Sequence, residues 1–135
     1  MTESQLIEVL ALQKASKIGD ITAKKLIHHC GSVEAIFNEK KKNLLQIDGI
    51  GSYIIGDLFN VNNFREAEHE LQFIKENKIK WHYFTDDTYP KNLKHCIDGP
   101  ILIFQTGNII LKNQHLISIV GTRKITTQGI AFCDK

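Results

Sequence analysis

What most constrains the fold of this chain is a change of period near residue 80. Upstream of Lys80, apolar residues recur every three or four positions. Downstream they come in short runs, Trp81–Phe84, Ile101–Phe104 and Ile117–Val120. The first spacing lays an apolar stripe along a helix, and the second suits strands of a few residues. Helices followed by strands predict an architecture between α+β and α/β, with a boundary within Lys78–Lys80. Residues 1–63 are expected to form a helical module, 64–80 a connecting helix, and 81–135 the opening of a strand-bearing domain.

Capping residues divide the helical part. Ser4 is expected to cap a helix over Gln5–Gln13, with Leu6, Val9 and Leu10 inward. The turn Ile18-Gly19-Asp20-Ile21 leads to a helix from about Thr22 to Cys30, which Gly31 closes as the residue past its end. Ser32 starts the next helix. The turn Ile47-Asp48-Gly49-Ile50-Gly51 then precedes a helix over Ser52–Phe59, and Asn60–Asn63 interrupts the pattern. A charged helix follows from Phe64 to Asn77, with Phe64, Ala67, Leu71 and Ile74 on one stripe.

The two glycine-led turns form a weak internal repeat. Ile47-Asp48-Gly49-Ile50-Gly51-Ser52 is similar to a helix-hairpin-helix loop. In such a loop the glycines let backbone approach a phosphate, and free N–H groups at the next helix start point at it. Gly49, Gly51 and Ser52 are therefore candidates for a secondary phosphate contact. The same residues equally suit an αα-hairpin that needs glycine for a tight turn and binds nothing. The other copy, Gly19-Asp20-Ile21-Thr22, puts a carboxylate where a phosphate would sit.

Charge and composition narrow the classes. The net charge is +2, and residues 1–63 balance seven lysines against seven acidic residues. Any contact with nucleic acid must therefore be local rather than a broad basic face. No apolar stretch approaches the ~20 residues of a membrane span, and the first residues do not read as a signal peptide. Cys30, Cys96 and Cys133 are odd in number and scattered, which suits reduced thiols and a cytoplasmic location. His28-His29-Cys30 is not a metal site, because successive helical residues point about 100° apart. No Ser/His/Asp or Cys/His arrangement stands out. Neither a catalytic residue nor a metal or cofactor is expected.

The third apolar run enters Gly121-Thr122-Arg123-Lys124. In an open α/β sheet, ligands bind beyond the carboxyl ends of strands. Gly121 would let backbone come close, and Arg123 can fork two donors onto a phosphate while Thr122 donates from its hydroxyl. The spacing from Gly121 to Gly129 is not the dinucleotide fingerprint, so a nicotinamide cofactor is not expected.

The order of motifs then carries a resemblance. Tyr89-Pro90-Lys91-Asn92-Leu93, Asp98-Gly99-Pro100 with Ile101–Phe104 and Gly107, and Ile119-Val120-Gly121-Thr122-Arg123 resemble the DNA-processing protein A (DprA, or Smf) family. The resemblance implies a helix-hairpin-helix or SAM-like helical module followed by the first strands of an incomplete Rossmann-like domain, the chain matching the N-terminal portion of the family. It implies a non-enzymatic protein that binds single-stranded DNA during natural transformation, protects it, and assists loading of the RecA recombinase. It also implies a homodimer in the full-length protein. By the same resemblance Gly121, Thr122, Arg123, Lys124, Thr126 and Gly129 lie at the DNA-binding pocket, while Gln128 replaces an aromatic residue. Such a fragment is expected to bind weakly on its own. Two rivals stand beside it. One is a nucleotide-binding or nucleotide-cleaving enzyme that uses the Gly121 turn for a phosphate. The other is a freestanding helix-hairpin-helix interaction module.

Overall fold

The computed structural model describes residues 1–108, 120–121 and 123–134. Six helices come first: α1 Glu3–Lys14, α2 Asp20–Cys30, α3 Val33–Asn38, α4 Lys41–Leu44, α5 Ser52–Leu58 and α6 Val61–Glu76. The strand β1 Lys80–Tyr83, the short helix α7 Lys91–Lys94, the strand β2 Leu102–Gln105 and the helix α8 Thr127–Cys133 follow.

Local chemistry explains most boundaries. The first cap is Thr2 rather than Ser4. Gln5 donates its backbone N–H to Thr2 Oγ1 at 3.3 Å, and Thr2 donates its own N–H to Gln5 Oε1 at 2.8 Å. That reciprocal box satisfies two donors at once, which a start at Ser4 would not. Gly31 does end α2, in the left-handed region at φ 92°, with its N–H donated to the Ile27 carbonyl. Ser32 caps α3 by accepting the N–H of Ala35. The asparagine run begins a helix instead of interrupting one. Asn60 Oδ1 accepts from Asn62 N–H, and the buried Asn63 donates to the Asp57 carbonyl at 2.7 Å. Helix α6 therefore starts at Val61, ahead of the expected Phe64.

The core is built around α1, whose Val9, Leu10, Ala11 and Leu12 are all buried, so the helix is covered on more than one side. Helix α6 lays Ala67, Leu71 and Ile74 into the same cluster, the stripe its spacing predicts. Leu26, Ile36, Leu44 and Leu58 are fully buried in it. Phe37 meets Phe64 and Phe59 edge-on at 4.9 and 6.1 Å between centroids. Each fully buried Leu or Ile contributes about 1.5–3 kcal/mol relative to exposure.

β1 and β2 pair antiparallel, Trp81 opposite Phe104 and His82 opposite Ile103. The described architecture is thus α+β: helices with a small two-stranded antiparallel sheet. Of the expected third strand, Ile117–Val120, residues 117–119 lie outside the described residues. The excursion between β1 and β2 is pinned by Tyr89. Its ring is buried, and its hydroxyl donates to the Pro100 carbonyl at 2.6 Å. Burial is the main cause that raises the Tyr89 pKa. Ile101, just ahead of β2, and Leu102, its first residue, join the same hydrophobic cluster as the helices. Trp81, Tyr83 and Phe84 pack against it half-buried.

Candidate nucleic-acid interface

Gly121, Arg123 and Lys124 lie exposed in the stretch just before α8. Thr122, expected beside them, falls outside the described residues. Among the described residues, Arg123 has no hydrogen-bond or ion-pair partner, so its forked donors face solvent. Thr126 and Gly129 serve each other: Thr126 caps α8, its Oγ1 accepting the Gly129 N–H at 3.1 Å. The Gly129 amide is therefore occupied in this state and is not an open phosphate donor. A Cβ on Gly129 would lie 3.0 Å from Ile125 Cγ1, so the glycine lets Ile125 fold over the first turn of α8. Gln128 is exposed, and α8 buries no residue.

The second candidate, Gly49–Ser52, is a tight turn held by the Ile50 N–H donated to the Ile47 carbonyl at 3.0 Å. Gly49 has φ 80°, the left-handed conformation that favours glycine. Ile47 and Ile50 are buried and anchor the loop. Gly51 is the N-cap of α5, and no side chain caps that helix start. Lys25 reaches the turn from α2. Its ammonium donates to the Asp48 carbonyl and sits 3.4 Å from the Asp48 carboxylate. A Cβ on Gly49 would be 3.6 Å from that ammonium. Beyond the turn, Tyr53 is exposed with the Lys17 ammonium 5.3 Å from its ring centroid. Neither Lys25 nor Lys17 was legible as a turn neighbour in the sequence. Both approach through tertiary packing, and the only local signal was a lysine on the preceding elements.

The first turn differs. The Asp20 carboxylate accepts the backbone N–H of Ile101 at 2.9 Å, across 81 positions of sequence. The carboxylate that stands where a phosphate would sit is engaged with the chain's own backbone just ahead of β2.

Among the described residues, no three His, Cys, Asp or Glu side chains are grouped to hold a metal. His28 and His29 are exposed on α2. Among those residues, too, no helix is long and apolar enough to cross a membrane.

Comparison with known proteins adds to this geometry. Residues 80–135 match the family model described as DNA recombination-mediator protein A. A stretch of 50 residues is 36% identical to the DNA processing protein DprA of Streptococcus pneumoniae, covering 37% of this chain and 18% of that relative. No solved structure matches. The antiparallel β1–β2 pair and the exposed Arg123 thus lie inside the stretch, residues 80–135, over which this chain is similar to the DNA recombination-mediator protein A family.

Proposed function

We propose that this chain binds single-stranded DNA through the segment Gly121-Thr122-Arg123-Lys124. The observation that carries this reading is the exposed Arg123, whose guanidinium has no partner among the described residues, within the stretch that matches a recombination-mediator family. Single-strand binding draws its affinity from neutralised phosphates, and an arginine fork with adjacent amides suits one phosphate group. The Thr126–Gly129 cap then has a positioning part, since it sets where α8 begins relative to Arg123. Gly49, Gly51 and Ser52, with the Lys25 ammonium beside them, form a second contact to the strand's backbone.

The finer architecture belongs to the same proposal. Residues 1–63 are a helix-hairpin-helix or SAM-like module, 64–80 a connecting helix, and 81–135 the start of a Rossmann-like domain. The protein acts by binding rather than catalysis, in the cytoplasm. It shelters single strands in natural transformation and hands them to RecA, acting as a homodimer.

The test is fluorescence anisotropy with a labelled oligo(dT) at about 50 mM and 150 mM salt, where phosphate contacts show as a slope. Weak binding at low salt is expected. Arg123→Ala should weaken it about tenfold, the loss of one charge-assisted hydrogen-bonding group, and should flatten the salt slope by about 0.7. Affinity and slope that Arg123→Ala leaves unchanged would overturn the assignment.

A further inference from the structure

Asp20 and Lys24 lie four residues apart on α2, so both side chains leave the same face of the helix. Both reach the connection between α7 and β2. Asp20 Oδ1 accepts the Ile101 N–H at 2.9 Å, while the Lys24 ammonium donates to the carbonyls of Cys96 at 3.2 Å and Ile97 at 3.1 Å. The same ammonium lies 5.9 Å from the Phe84 ring centroid, at the end of β1. A carboxylate takes the donor and an ammonium takes the acceptors, so the two prongs cannot exchange roles. Ile101 is fully buried, and without Asp20 its N–H would be a buried donor with no partner.

From this arrangement we infer that the first glycine-led turn is an intramolecular clamp. Asp20 and Lys24 fix the α7–β2 connection to the helices, set the point from which β2 departs, and couple unfolding of the strand pair to that of the helices. The two similar turns thereby divide: the first holds the chain's own strand, and the second faces solvent. This inference stands on contacts within the chain and is independent of DNA binding.

The full chain offers a direct test, because Trp81 on β1 is its single tryptophan. Trp81 fluorescence reports the strand pair and its seat on the helical cluster, and far-UV circular dichroism reports the helices. In the parent protein both probes should give one coincident thermal transition. In Asp20→Ala/Lys24→Met, the Trp81 transition should fall below the helical one, and the Ile101 amide should exchange at least about tenfold faster, as expected for losing a hydrogen bond to a charged group. Simple weakening of α2 would lower both transitions together. Lys25→Met on the same helix should keep them coincident. Asp20→Asn, which keeps the acceptor oxygen, should restore most of the Ile101 protection. Should the double variant fail to fold, Lys24→Met alone should still separate the two transitions. Coincident transitions with unchanged Ile101 exchange in the folded variants would overturn the clamp.

Discussion

At the residue scale, two titratable side chains show the cost of burial. Glu8 on α1 has an oxygen, Oε2, that is buried without a hydrogen-bond partner among the described residues. Its pKa is raised, first by desolvation and then by the Glu34 carboxylate on α3. A carboxyl raised on folding keeps its full contribution below its unfolded pKa and loses it as pH rises through the folded value. Glu8→Gln should therefore raise the thermal midpoint at pH 7, and the gain over the parent should shrink as pH falls through the Glu8 titration. A midpoint difference that is constant from pH 3 to pH 7 would contradict this. Tyr83 is pushed up to about 12 by burial and by Asp86. Unfolding frees it to ionise near pH 10, so it should contribute an alkaline loss of stability between about pH 10 and 12. Tyr83→Phe should remove that part of the slope in chemical denaturation series.

At the scale of elements, capping decides where helices begin and glycines decide where the chain can turn. The left-handed Gly31 and the serine cap of α3 were legible because each acts within a few residues of itself. The start of α1 was misplaced by a nearer serine, although Thr2 with Gln5 makes two bonds where Ser4 could offer one. Gly99 illustrates a constraint no local pattern reveals. A Cβ there would sit 2.7 Å from the Leu93 carbonyl oxygen and 3.1 Å from that of Cys96. Both are backbone atoms and cannot rotate aside. Gly99→Ala should cost about 1–3 kcal/mol, the usual range for overpacking, measured as a shift in urea midpoint. An unchanged midpoint would show that the α7–β2 loop adjusts freely.

For the whole molecule, the informative fact is that Ile101 and Leu102 share one hydrophobic cluster with the helices. Ile101→Ala should destabilise by about 2–5 kcal/mol, the range for truncating a well-packed Ile, and should lower the helical and strand signals alike in equilibrium unfolding. The ion pairs Lys75–Glu3 and Lys14–Glu70 also join α6 to α1, but they are solvent-accessible and worth little beside that burial.

Local pattern determined the kinds of elements. Period marked the longer helices before residue 80 and, to within a residue, β1 and β2 after it, because side chains three or two residues apart must share a face whatever surrounds them; the four-residue helices α4 and α7 are too short to show a period. It also singled out Gly121 and Arg123, whose residue types suit a phosphate wherever the chain places them. Tertiary structure decided the rest. Antiparallel pairing of β1 with β2, the engagement of Asp20 by Ile101, and the approach of Lys25 to Gly49 each join residues nineteen or more positions apart. No periodicity encodes which distant group will meet another. That choice follows from how the whole apolar surface is best buried, and only the folded chain expresses it.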